Sequence, residues 1–273
     1  MSTTLNPRNI GDILGDTFRI YGRNFWKLLA IAAIVLGVLG VIGIIAPLGL
    51  LSLVMTGGAI EALTGWIIVG LIILVVAYIL GGILMGGALI HAVSEQYLRQ
   101  RISIGQAYGF AWRRLGAMIG ASVLAFLAIG GIIAVSVFVV TFSWVGWILV
   151  VVLVVVSSCA SIYLMVRWSF ILPAALLEGL GPTAALSRSS GLVKKNWWRV
   201  LGIMLVVALI SGAISAILGM IPVVGAIIGS ILVTPIFAIA STLLYYDLRV
   251  RKEEYSLEAL ASELHIKIDS DVT

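Results

Sequence analysis

Long apolar tracts separated by short basic segments dominate this chain. All 17 lysine and arginine residues fall within residues 8–27, 99–114, 167–199 and 249–267. The tracts between them, 28–98, 115–166 and 200–248, contain only Glu61, His91, Glu95 and Asp247 as acidic or histidine side chains. Each tract is long enough for two membrane crossings, since one helix needs about 20 apolar residues. The pattern therefore predicts an all-α, polytopic integral membrane protein with six transmembrane helices arranged as three hairpins.

Tryptophan positions help to place the ends of these helices. The predicted spans are 28–50, 65–88, 116–139, 145–166, 200–220 and 226–246. Trp26, Trp112, Trp168, Trp197 and Trp198 lie at one set of ends, and Trp66, Trp144 and Trp147 at the other. Tryptophan concentrates at both membrane interfaces, and a Lys/Arg excess marks cytoplasmic loops. Both termini and all four basic segments are therefore expected on the cytoplasmic side.

The basic segments also contain signals for short helices that lead into the spans. Asn6–Pro7 and Gly181–Pro182 each offer proline at a first helical position, and Ser103 with Gln106 forms a capping box. In the first segment, apolar residues recur at helical spacing, which is typical of an amphipathic helix lying in the interface. These residues are Ile10, Ile13, Leu14, Phe18, Tyr21 and Phe25.

An internal repeat is suggested by residues 24–29, Asn-Phe-Trp-Lys-Leu-Leu, which align with residues 196–201, Asn-Trp-Trp-Arg-Val-Leu. The middle segment, 104–115, matches only loosely. We interpret this as three pseudo-repeats of interfacial helix plus hairpin, near 6–98, 103–166 and 181–250. The alternative is convergent interfacial composition. Together they form one transmembrane domain, 1–255, followed by a short cytoplasmic helix and tail, 256–273, with Ser256 as N-cap.

Composition narrows the possible functions. The chain is 62% hydrophobic and 11% charged, far from a soluble domain, in which about a quarter of residues are charged. The net charge of +5 could suggest nucleic acid, but basic residues beside tryptophan fit anionic lipid headgroups better. Cys159 is alone, and no set of His, Cys and acidic residues forms a catalytic triad or a metal site. We expect no enzyme activity, cofactor or metal.

Two groups of residues remain as candidates for a site. The first is a basic rim for lipid or partner binding, with tryptophans beside it: Arg23, Trp26, Lys27, Lys194, Lys195, Trp197, Trp198 and Arg199. The second is structural: Asp247 could pair with Arg249 or Arg251 or with a basic residue of another segment, and His91 and Glu95 lie one helical turn apart. The His91–Glu95 pair could also be a proton relay or half of a metal site.

Three segments resemble a known family. These are residues 172–179, Leu-Pro-Ala-Ala-Leu-Leu-Glu-Gly, residues 181–189, Gly-Pro-Thr-Ala-Ala-Leu-Ser-Arg-Ser, and residues 244–251, Leu-Tyr-Tyr-Asp-Leu-Arg-Val-Arg; residues 10–18 are similar too. The chain resembles the bacterial and archaeal membrane-domain family of glycerophosphoryl diester phosphodiesterases. Some members of that family carry a catalytic barrel after the membrane domain, and we expect none in this chain. The resemblance implies a multi-span protein of the bacterial or archaeal cytoplasmic membrane.

Two functions are compatible with the sequence. The first is a non-enzymatic membrane subunit or scaffold that engages anionic lipids on the cytoplasmic side and a membrane or cytoplasmic partner protein. The alternative is a lipid or amphiphile transporter that uses a groove between hairpins.

Overall fold

Every regular element is a helix in the residues that the computed structural model describes, 8–55, 60–97, 102–142, 147–222 and 224–253. The Asn6–Pro7 helix start, the connection 143–146 and the helix from Ser256 lie outside these residues. The helices are α1 (Ile10–Arg23), α2 (Phe25–Met55), α3 (Ile60–Tyr97), α4 (Ile104–Arg113), α5 (Leu115–Phe142), α6 (Trp147–Arg167), α7 (Ile171–Leu177), α8 (Pro182–Val193), α9 (Trp197–Gly219) and α10 (Val224–Glu253).

Among the described residues, six stretches are long and apolar enough to cross a membrane, which agrees with the predicted number. They are Phe25–Gly43, Ile68–Gln96, Leu115–Thr141, Trp147–Leu177, Trp197–Gly219 and Val224–Glu253. In the most apolar 18-residue window of each of the first five, only 6% to 22% of the residues are buried inside the protein. Exposed apolar faces on this scale require an apolar solvent, because monomeric soluble proteins rarely expose large contiguous apolar patches. The chain is therefore an all-α, multi-pass integral membrane protein.

Three short helices precede long ones, and each pair is separated by a brief break. Asn24 separates α1 from α2, Arg114 separates α4 from α5, and residues 194–196 separate α8 from α9. At the first break the carbonyl of Asn24 accepts the first hydrogen bonds of α2, from the amides of Lys27 and Leu28. A lipid-interface position for the short helices, and a repeat relating the three junctions, remain predictions.

The chain divides into two compact units. Unit one contains Met1–Ile10, Arg113–Leu205 and Ser241–Thr273, and unit two contains Gly11–Trp112 and Val206–Ala240. In unit one, α5 packs against α6, α7 and α8. In unit two, α2 packs against α3.

Two tyrosines tether short helices to long ones in unit two. The Tyr21 hydroxyl donates to the carbonyl of Leu232 (3.1 Å), and the Tyr108 hydroxyl donates to that of Ile31 (2.7 Å). Burial raises the pKa of Tyr108 to about 12 and raises the pKa of Tyr21. Both hydroxyls therefore keep the donated proton at any physiological pH.

The last helix differs from the other five, because 56% of its most apolar 18-residue window is buried. Its C-terminal half supplies several fully buried core side chains, including Leu243, Leu244 and Tyr245. A helix surrounded by protein can carry polar groups that lipid would not accept. Asp247 and Arg249 are accordingly buried in this half of α10.

The elbow between α7 and α8 depends on three glycines. Gly179 has a φ of 65°, a left-handed conformation that glycine adopts without strain, and the Arg114 guanidinium lies where a β-carbon would stand. Gly181 is the N-cap of α8, and Pro182 is the first helical residue, as predicted. Gly120 of α5 approaches the Pro182 ring so closely that an added β-carbon would lie 2.5 Å from its Cγ. This places α5 directly against the start of α8.

Candidate functional site

Glu178, at the end of α7, is the centre of the first polar cluster in unit one. Its carboxylate accepts two hydrogen bonds from Arg188 Nε (2.8 and 2.9 Å) and one from the Tyr245 hydroxyl. Arg249 Nε lies 3.7 Å from Glu178 Oε1, and its guanidinium lies 5.6 Å from the centroid of the Tyr245 ring. The side chain of Glu178 is only 14% exposed. We call these residues, together with Glu253, the Glu178 cluster.

Glu253 completes this cluster from the end of α10. Its carboxylate accepts hydrogen bonds from both terminal nitrogens of Arg188, with Nη2 at 2.7 Å, and from Arg249 Nε at 3.3 Å. The hydrogen bonds to Glu253 have the largest effect on the pKa of the Arg188 guanidinium. Together with those to Glu178 they raise this pKa, although partial burial acts to lower it. Arg188 therefore stays charged and joins α7, α8 and α10.

Two serines next to Arg188 secure the opposite side of α8. The Ser189 hydroxyl donates to the carbonyl of Arg167 (2.9 Å) and accepts from the amide of Phe170 (3.1 Å). The Ser190 hydroxyl accepts from the Trp168 indole (3.2 Å). The two Ser189 bonds satisfy backbone groups where the chain passes from α6 to α7, which would otherwise be costly to bury.

Asp247 is the centre of the second cluster, which we call the Asp247 cluster. Its fully buried carboxylate accepts from Arg199 Nη2 and Arg251 Nε, both at 3.0 Å, and from the backbone amide of Arg8 at 2.8 Å. The guanidinium groups of Arg199 and Arg251 also donate to the carbonyl of Arg8. Asp247 thus pairs with a neighbour on its own helix and with a residue of another basic segment.

Exposed tryptophans and cations mark the three breaks between short and long helices. Trp26 and Trp198 are each 78% exposed, and Trp112 is 67% exposed. The exposed cations nearest to them in sequence are Arg23 and Lys27, Lys194 and Lys195, and Arg113. Trp197 is half-buried and stacks near Tyr163, with ring centroids 6.0 Å apart. Arg199 is 20% exposed and belongs to the Asp247 cluster rather than to an open surface.

His91 and Glu95 form a buried pair in unit two. His91 Nδ1 lies 3.7 Å from Glu95 Oε1, and each side chain is 5% exposed. The His91 ring packs on Phe110, and Glu95 Oε2 accepts from the amide of Ser103 (3.5 Å). The capping box predicted that the Gln106 side chain accepts from the Ser103 amide. In the structure Glu95 accepts from this amide. Within the described ranges no group of three or more His, Cys, Asp or Glu side chains could hold a metal.

Several residues of the clusters were not among the sequence candidates. Glu178, Arg188, Tyr245 and Glu253 were not singled out, although the first three lie in the segments that carry the family resemblance. The sequence did not show which of these distant charges are partners. Two spacings of one helical turn could have been read directly as pairs, Asp247 with Arg251 and Arg249 with Glu253.

Glu178 is expected to stabilise the fold more than Glu253, although both bind the same arginines. Replacing Glu178 with glutamine should cost about 2 kcal/mol, because two hydrogen-bond donors, Arg188 and Tyr245, and the nearby charge of Arg249 lose a shielded carboxylate. Replacing Glu253, whose side chain is 30% exposed, should cost less than about 1 kcal/mol. Thermal unfolding of both purified variants in the same detergent measures the difference. Equal losses would contradict the central position of Glu178.

Comparison with known proteins supports the resemblance over part of the chain. The family model described as the membrane domain of glycerophosphoryl diester phosphodiesterase matches residues 131–250. This range contains Glu178, Arg188, Arg199, Asp247 and Arg249. No curated protein and no solved structure gave a match. The match concerns the membrane domain of that family, and five of the eight charged residues in the matched range lie in the two clusters.

Proposed function

We propose that this integral membrane protein is a non-enzymatic membrane subunit or scaffold that binds anionic lipid headgroups and presents a cytoplasmic surface to a partner protein. One observation carries the proposal. At each of three breaks between a short and a long helix, an exposed tryptophan lies beside exposed cations. An indole with lysine or arginine is a typical anchor at the lipid headgroup level.

The paired arginines and the exposed lysines have different roles in this proposal. Arg188, Arg199, Arg249 and Arg251 are held by carboxylates and cannot reach a lipid without breaking an ion pair. Lys194 and Lys195 are exposed next to Trp198, and neither ammonium group has a hydrogen-bond or ion-pair partner in the described part of the chain. These two lysines are therefore the best place to test headgroup binding.

The corresponding test replaces Lys194 and Lys195 with glutamine. Each lysine near an anionic leaflet contributes about 1 kcal/mol, so losing both should weaken binding of phosphatidylglycerol by up to roughly 30-fold at low salt. The measurement is retention of labelled anionic lipid by the purified protein in zwitterionic nanodiscs. Folding should be unaffected, because both side chains are exposed.

Replacement of the same lysines with arginine is the matched control, since it keeps both charges. It should bind as the wild type does, and added salt should reduce the difference between the variants. Unchanged binding by the glutamine variant at low salt would refute lipid engagement by these lysines. Arg199 is left intact, because its replacement would disturb the Asp247 cluster.

Lipid or amphiphile transport is the second candidate, and one feature favours it. An open groove of about 500 Å³ lies between α5 and α6, within one predicted hairpin rather than between two hairpins. It is lined by Ala128, Gly131, Ile132, Val135, Ser136, Leu153, Val156, Ser157 and Ala160. Its two serine hydroxyls donate to carbonyls of their own helices, Ser136 to Ile132 and Ser157 to Leu153. The groove therefore suits an acyl chain better than a polar headgroup. Movement of a labelled lipid between leaflets of reconstituted vesicles would favour this candidate.

A further inference from the structure

Lys194, Lys195 and Lys252 form a lysine cluster at the C-terminal end of α8. The Lys252 ammonium donates to the carbonyl of Gly191, which fixes it beside the end of that helix. The charges of Lys194 and Lys195 lie close enough to Lys252 to act on it. All three side chains are exposed. Cations favour a helix C-terminus, but three so close together also repel one another.

The neighbouring acidic side chains of unit one already have arginine partners. Glu178 and Glu253 bind Arg188, and Asp247 binds Arg199 and Arg251. Glu253 does influence Lys252, but neither Lys194 nor Lys195 forms an ion pair with any described carboxylate. The cluster therefore presents positive charge that the described residues do not fully neutralise.

The remaining acidic side chains of the chain are concentrated in residues 254–273. This acidic segment contains five acidic residues, Glu254, Glu258, Glu263, Asp269 and Asp271, against the single basic residue Lys267, a formal charge of −4 with His265 neutral. The rest of the chain has 16 basic and seven acidic residues. Positive charge thus predominates up to residue 253 and negative charge after it. The acidic segment begins two residues after Lys252.

We propose that the acidic segment binds the lysine cluster of its own chain and shields it from anionic headgroups. The segment begins beside the cluster, because Glu253 is held by Arg188 and Lys252 by Gly191. At about 3.3 Å per extended residue, even a few residues are enough to reach Lys194 and Lys195. Direct tethering gives an effective concentration on the order of millimolar.

An anionic leaflet would also favour contact between the acidic segment and the lysine cluster. It attracts the lysine cluster and repels the acidic segment, so the cluster is the nearest favourable surface for the segment's carboxylates. Binding of the segment and binding of anionic lipid are then mutually exclusive. The shielding effect rests on the proposed lipid function, whereas binding of the segment to the lysines does not.

The first experiment tests binding of the segment alone. The full chain, one copy per zwitterionic nanodisc, is treated with a carbodiimide that joins an amine and a carboxylate only when they are in contact. Mass spectrometry should find amide links from Lys194 or Lys195 to acidic residues of 254–273, and fewer of them at high salt. Absence of these links at low salt would overturn the proposal, whatever the lipid measurements show.

The second experiment tests the shielding. The full-length variant Glu258→Gln/Glu263→Gln/Asp269→Asn/Asp271→Asn should retain phosphatidylglycerol roughly tenfold better than the wild type, because the tethered competitor is lost. The same four substitutions in the Lys194→Gln/Lys195→Gln background should produce no gain. A gain that persists without the lysines would overturn the shielding. If the cross-links form but lipid retention responds to neither set of substitutions, the segment binds as proposed and the lipid function fails.

Discussion

Replacing Asp247 with asparagine is expected to lower the free energy of unfolding by about 3 kcal/mol, because removal of one member of a buried ion pair leaves its partners uncompensated. The Asp247 side chain is fully buried, and the Arg199 and Arg251 side chains are 20% and 29% exposed. Asparagine has nearly the same shape as aspartate, so the lost stability would reflect the removed charge rather than altered packing. Thermal unfolding in mild detergent is the measurement, and a drop of roughly 10 °C is expected.

Arg19 provides a control for this prediction. It lies 3.1 Å from Asp16, but its side chain is 72% exposed, so Arg19→Gln should change stability by less than about 0.5 kcal/mol. The double variant Asp247→Asn/Arg199→Gln should lose less than the sum of its single variants, since the two residues interact directly. Strict additivity, or equal losses for Asp247→Asn and Arg19→Gln, would show that the Asp247 cluster contributes little.

The long helices could be predicted from the sequence because their signal is local and strong. Uninterrupted apolar residues over about 20 positions have few alternatives in a folded chain. The predicted span 116–139 compares with α5 at Leu115–Phe142, and 200–220 compares with α9 at Trp197–Gly219. The start of α8 could also be predicted from the sequence, because the fixed φ of Pro182 suits a first helical position.

The pairing of distant charges could not be predicted in the same way. Glu253 and Arg188 are separated by 65 positions, and Asp247 and Arg199 by 48. Their partnership depends on how α8, α9 and α10 pack, which periodicity does not specify. Arg199 shows the consequence: next to two tryptophans and two lysines it was indistinguishable from an open basic surface, yet it binds Asp247.

The burial of α10 has a weak signal in the sequence. Its mean hydropathy, 2.2, is the lowest of the six spans, and its C-terminal half is richer in polar groups than the other spans. A helix facing lipid on all sides would not accept Asp247 or Arg249 at such positions. Lower hydropathy in a span of full length thus indicates a helix buried among others.

Arginine and lysine are used differently in α8 and directly after it. The planar guanidinium of Arg188 binds two carboxylates at once, which suits a fixed structural link. Lysine is a compact charge on a flexible stem, which suits a surface that exchanges partners. The paired arginines therefore belong to the fold, and Lys194 and Lys195 to the proposed lipid and segment binding.

Replacing Gly120 with alanine is expected to cost about 2 to 3 kcal/mol, an effect of overpacking. The added β-carbon would lie 2.5 Å from Cγ and 3.2 Å from Cβ of Pro182. A proline ring cannot rotate away as a flexible side chain would, so α5 and α8 have to separate. That movement would also shift Arg188 on α8 relative to Glu178. Thermal unfolding of the purified variant measures the loss.

Gly116, one helical turn earlier on α5, is the matched control. A β-carbon there would meet no atom within 4 Å, so Gly116→Ala should be neutral or stabilise α5 by up to about 1 kcal/mol. The double variant Gly120→Ala/Pro182→Ala should recover part of the loss, because the ring that opposes the new methyl group is gone. Equal effects of the two glycine substitutions would show that α5 and α8 are not held at this distance. A loss confined to Gly120 would show that close packing of these helices, rather than a general need for small residues in α5, positions the Glu178 cluster.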